Sequence, residues 1–163
     1  MPFLALHVIA LIAWALVNTV ERSTSTFILP RGPLQNSLQD LRAFLSTKSK
    51  IRLTWRNYHS LTTCSFWERL SLTGASYSYN LWYHKMVKGV DNTKKVPFIA
   101  SLSNETGGAV MKTRHPLENE RKAVKMKLIS YVEKEKCAVF TLGDKCEQYI
   151  WEGSGNFIRW DCN

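Results

Sequence analysis

Glu147 has the most chemistry to offer, because of the neighbours its spacing gives it. If the segment from Cys137 to Trp151 folds back at Gly143-Asp144, the turn Leu142-Gly143-Asp144-Lys145 sets Phe140 opposite Glu147 and Ala138 opposite Tyr149. Leu142 and Trp151 continue the same side of that ladder, and Cys137 and Cys146 fall on the other. A carboxylate bordered by aromatic rings suits a flat or cationic ligand, the rings supplying area and the acid orienting charge. The same row also reads as ordinary packing, with Phe140, Tyr149 and Trp151 in a core and Glu147 at a wet rim.

Glu68 is the second acid of interest. It shares a parity with Phe66, Leu70 and Leu72, so a regular strand points it inward, where a carboxylate needs a partner or a raised pKa. An edge or bulged strand leaves it in solvent instead. Cys64 falls on the same parity, and a bulge would turn it out. Asn104-Glu105-Thr106, ahead of Gly107-Gly108, is a loop-like acceptor for N-glycosylation in an exported chain.

Catalytic constellations are not visible. His59, His84 and His115 are scattered without metal-ligand spacing, and there is no nucleophile-elbow serine, phosphate-cradling glycine loop or paired-carboxylate motif. The chain reads as a binding protein and not an enzyme, with no cofactor or metal expected. Residues 1–19 read as a secretion signal: about 16 apolar residues, short of the roughly 20 a spanning helix needs. No charge precedes Glu21, and a cut near Val20 would leave no membrane anchor. The export address suits four cysteines held as disulfides, whose three possible pairings the spacing leaves open.

The formal charge of +9 survives removal of the leader. It permits contact with acidic proteins or heparin-like glycans, and export makes nucleic acid the poorest fit. The lysines and arginines from Lys85 to Lys136 are spread over strands and loops, as solvated solubility charges also are.

The elements that must hold these residues are mostly strands. Residues 20–36, with Pro30, Gly32 and Pro33, form an extended lead-in to a domain at 37–163. Ser37-Leu-Gln-Asp40 opens as a capping box, and Leu38, Leu41, Phe44 and Leu45 share a helical face. From Lys50 the period becomes two: Ile51 to Trp55, Phe66 to Leu72, Tyr77 to Tyr83, Val96 to Leu102, Ala109 to Thr113, Val124 to Val132, then the terminal hairpin. Turn signals stand at Thr73-Gly74, Gly89 to Asn92, Thr106-Gly107-Gly108 and Gly143-Asp144. About eight strands so spaced make an all-β fold, a small antiparallel barrel with room for one ligand or a sandwich filled by side chains.

Leader, helix, strands and cysteine-bearing hairpin together make the chain resemble the tick salivary lipocalins, the histamine-binding family. That family's pattern runs Cys-Asp-aliphatic, a spacer, Glu-Leu-Trp/Tyr, a second spacer, then Cys. Here Cys137-Ala138-Val139 is followed by seven residues, Glu147-Gln148-Tyr149, twelve residues and Cys162. Ala138 stands for the Asp and Gln148 for the Leu. The resemblance implies an eight-stranded antiparallel lipocalin-like barrel with a short N-terminal helix. It also implies a secreted salivary protein that sequesters a small host mediator and so suppresses inflammation. Histamine or serotonin follows from the full pattern; with Ala138 present, a lipid mediator such as a leukotriene is implied equally. By the same resemblance Cys137 pairs with Cys162, leaving Cys64 with Cys146. The ligand set would be Glu68, Phe140, Glu147, Tyr149 and Trp151. The alternative is an immunomodulator that engages host immune proteins through its outer surface, its cup filled or vestigial.

Overall fold

A computed structural model describes residues 36–87 and 90–154. The expected leader, the lead-in up to residue 35 and Cys162 lie outside these. Helix α1, Leu38–Leu45, starts as its residues dictate: Ser37 Oγ accepts from the Asp40 amide at 3.2 Å and the Asp40 carboxylate accepts from the Ser37 amide at 2.9 Å. Leu41, Phe44 and Leu45 have no accessible surface and Leu38 is partly buried, so the apolar face packs on the barrel.

Eight strands follow, β1 (Ile51–Arg56), β2 (Thr62–Thr73), β3 (Ser76–Val87), β4 (Val90–Glu105), β5 (Gly108–Arg114), β6 (Val124–Val132), β7 (Cys137–Leu142) and β8 (Lys145–Trp151). Each pairs antiparallel with the next, and β1 pairs with β8, closing a barrel. The sandwich alternative is excluded by that closure. The terminal hairpin has the expected register, Phe140 against Glu147, Ala138 against Tyr149 and Leu142 against Lys145. Gly143 takes a φ of +67°, the left-handed geometry of a two-residue hairpin.

The two ends of the barrel differ. Helix α1 sits at the end that also carries the β2–β3, β4–β5 and β6–β7 turns, and its last-turn carbonyls are capped from the barrel. Trp151 Nε1 donates to the Phe44 carbonyl at 2.9 Å, and Arg69 Nη1 donates to the Ser46 carbonyl. Phe44 then packs on Tyr131, Phe140 and Trp151 with ring centroids 5.6–6.4 Å apart. The opposite end carries the 57–61 and 115–123 connections and the Gly143 turn. The exposed apolar side chains Leu61, Leu117 and Val124 belong to those connections or to a strand start beside them, as does Val90 where β4 begins.

Two local irregularities overturn the simple alternation. In β2 the register shifts between Thr63 and Phe66, where Cys64 has a φ of +49°, and again between Arg69 and Ser71. These bulges send Trp67 into the core, 2 % exposed, and Phe66 and Glu68 outward, the reverse of the expected parity. In β1 a shift between Leu53 and Trp55 puts Arg56 opposite Glu147, on the inner side. Asn104 is exposed as expected, but on the last paired residues of β4 and not in a loop.

Candidate functional site: a carboxylate under the barrel mouth

Glu147 enters the barrel from β8, and only 5 % of it is exposed. Its Oε2 accepts from the Tyr149 hydroxyl at 2.6 Å, and its Oε1 accepts from the Tyr58 hydroxyl. No lysine, arginine or histidine forms an ion pair with it among the described residues. Burying a carboxylate is costly without strong donors, and here both donors are phenols. Burial holds the Tyr58 hydroxyl up, to about 12, with the hydrogen bond to Glu147 as the next cause. Burial and then the Glu147 charge push Tyr149 well above the ordinary phenol value. Both phenols therefore keep the proton they donate across the neutral range.

Tyr58 reaches this position because its neighbour is tied down. Asn57 Oδ1 accepts from the Cys146 amide at 2.8 Å and the Asn57 amide donates to the Cys146 carbonyl at 3.2 Å, pinning the β1–β2 connection to β8. Arg56 lies over the Tyr58 ring at 5.6 Å and Lys145 Nζ at 4.9 Å. Below the carboxylate, Trp67 packs on Tyr149 at 4.1 Å, and Tyr79 is paired through its hydroxyl with Thr113 at 2.8 Å.

The expected ligand set divides accordingly. Glu147 and Tyr149 come together, and Phe140 joins them only as packing. With no accessible surface, it is held by Phe44, Trp67 and Tyr149 and borders no space a water could enter. Trp151 belongs to the helix-capped end, where its indole N–H serves α1 and Lys136 Nζ covers its ring at 4.9 Å. Glu68 is on the outer wall, a correction to the inward placement. Its Oε2 accepts from Trp82 Nε1 at 2.9 Å and Asn80 Nδ2 at 3.1 Å, with Lys95 Nζ 3.6 Å away. The Trp82 hydrogen bond, first among these contacts, holds its pKa below the usual value. Cys64 is a free, exposed thiol, so the expected bridge to Cys146 is not formed; its bulge carries it to the outer surface. The other expected bridge, Cys137 with Cys162, reaches outside the described residues.

Two members of the site, Tyr58 and Arg56, escape sequence reasoning. Tyr58 lies in a connection, where no period assigns a face, and Arg56 changes side at a bulge that no glycine or proline marks. A shallow hollow of about 270 Å³ flanks the cluster, lined by Leu53 to Arg56 and by Cys64 and Ser65 where β1 and β2 part.

No family model matches the chain, and no curated protein does either. Among solved structures the barrel is similar to Japanin from Rhipicephalus appendiculatus bound to cholesterol. The likeness has a TM-score of 0.50 at 11 % identity, and covers 72 % of this chain and 83 % of that one. At that identity the likeness speaks for architecture: the described residues have the lipocalin-like fold, a closed eight-stranded antiparallel barrel with one short α-helix among them.

Proposed function

We propose that the protein is a secreted carrier that takes a small host mediator into the mouth half of its barrel, with Glu147 as the anchor for an ammonium group. The observation that carries this reading is the buried carboxylate that, among the described residues, only phenols satisfy. An amine that displaces the Tyr58 hydroxyl puts a cationic donor where a neutral one stood and so pairs the buried charge, a gain of about 1.4 kcal/mol or more, roughly tenfold in affinity. The aromatic floor of Trp67 and Tyr149 supplies area for a flat ring, and Leu61, Leu117 and Val124 give the rim an apolar character. Histamine and serotonin fit this description. A leukotriene-like lipid would use the same mouth and turn its carboxylate to Arg56. Japanin's cholesterol supports the general use of such a barrel for small molecules. Export rests on the apolar leader, and Asn104, exposed at the β4 end, is the proposed glycan acceptor.

Calorimetry with histamine, serotonin and a leukotriene separates these ligands. Saturable amine binding that Glu147→Gln weakens by about tenfold or more supports the anchor, and unchanged affinity removes it. Loss of leukotriene binding on Arg56→Gln, with amine binding absent, assigns the cup to lipid.

A second reading, a protein-binding immunomodulator with a filled interior, is favoured by a different observation. Tyr77, Met111, Leu128 and Phe140 have no accessible surface, so the interior around them is filled by side chains. If no small molecule binds the wild-type protein and none is carried by it on secretion, this reading replaces the first.

A further inference from the structure

A concavity on the outer wall lies apart from the cup. It encloses about 600 Å³. Its floor follows one cross-strand row, Ser76 against Ser101, Ser101 against Lys112 and Lys112 against Lys125, so two short hydroxyl side chains are followed by two long cationic ones. Arg114 and Glu120 complete the wall. The floor is low where the short side chains of Ser76 and Ser101 face each other on the outer face of β3 and β4.

Its cations are held in place. Glu105, outside the hollow, accepts from Lys112 Nζ and Lys125 Nζ at 2.9 and 2.5 Å, which fixes both stems while leaving each lysine about half exposed. Arg114 Nη1 donates to the carbonyls of His115, Pro116 and Glu118, which anchors the β5–β6 connection as the rim. Preset side chains lose less freedom when a ligand arrives than mobile ones do.

The composition selects the ligand class. Hydroxyls on the floor, three cations on one side and no aromatic ring suit a hydrophilic polyanion, whereas a lipid or amine would need apolar area or a carboxylate at the centre. The serines can meet sugar hydroxyls, Glu120 can accept one, and the cations can meet sulfates. We propose that this outer hollow is a binding site for a sulfated oligosaccharide, independent of whatever occupies the cup. Such a site would hold an exported protein of charge +9 on extracellular glycans.

The test uses a heparin-derived tetrasaccharide as probe, with calorimetry and backbone NMR shifts on the full protein. Ser101→Phe fills the valley without changing any charge, on an exposed strand position that tolerates aromatics. A specific site predicts a loss of about tenfold or more with Ser101→Phe. A comparable loss is expected with the Lys112→Gln/Lys125→Gln double variant, and no more than about twofold with Lys134→Gln on a remote turn. Shifts should cluster on β4 and β5. Equal binding by Ser101→Phe overturns the proposal, since general charge attraction would then suffice. Equal affinity for the desulfated sugar, or displacement by inorganic sulfate at the probe's own concentration, overturns it as well.

Discussion

The two halves of the barrel interior are built on opposite terms. At the α1 end, rings meet rings: Phe44, Tyr131, Phe140 and Trp151 form one aromatic cluster, and the Trp151 indole N–H is spent on a helix carbonyl. At the mouth, Glu147, Tyr58, Tyr149 and Arg56 form a polar cluster hung between apolar walls. The first arrangement gains stability from area and leaves nothing to bind. The second keeps a desolvated charge whose donors can be exchanged, which is what recognition requires. On the proposed function, stability and binding fall to different ends of one sheet.

That division can be broken by substitution, and the largest effect belongs to the packed end. Phe140→Ala should cost about 3–5 kcal/mol in urea unfolding, because the ring is enclosed on all sides and its cavity cannot collapse. A loss below about 1 kcal/mol would mean that the packed end is loose. Trp151→Phe keeps a ring but removes the N–H that serves the Phe44 carbonyl, at a cost of about 1 kcal/mol and with faster amide exchange in α1.

Tyr77→Phe tests the same end in the other direction. Its hydroxyl is buried with no hydrogen-bond partner among the described side chains, so removing it should be neutral or stabilising by up to about 1 kcal/mol. A clear destabilisation would show that the hydroxyl has a partner in solution. The smallest expected effect is at the mouth and appears only with pH. The folded-state pKa of Tyr58, about 12, lies above the ordinary phenol value of 10.0. Its contribution to stability is therefore complete below pH 10 and is lost as pH rises through about 12. The stability difference between wild type and Tyr58→Phe should narrow over that window and stay flat below it.

The sequence made the strands legible because antiparallel walls with one wet face write their period directly, as Tyr77, Tyr79 and Leu81 do in β3. The Phe140–Glu147 register was legible for a second reason, since Gly143-Asp144 sets a two-residue turn and a turn sets a register. The capping box of α1 was equally plain. What stayed hidden depends on bulges. Cys64 and Leu70 each add a residue to β2 without any glycine to announce it, so Glu68 and Trp67 exchanged faces. The role of Trp151 was hidden because the partner of its N–H, the Phe44 carbonyl, lies far away in sequence and no pattern links the two.

The junction of β1 with β2 has a wider consequence. Those strands share only the pairs Ile51 with Trp67 and Arg52 with Phe66, whereas β1 follows β8 as far as Arg56 opposite Glu147. Beyond those pairs Arg56 acts as a clasp, its Nη2 donating to the Thr62 carbonyl. A ring welded over so short a length should breathe at that weld first, and on the proposed function that opening is a sideways route to Glu147. Deuterium uptake in β1 and the first half of β2 should then outpace that in β3 and β4, and Arg56→Ala, by undoing the clasp, should widen the gap.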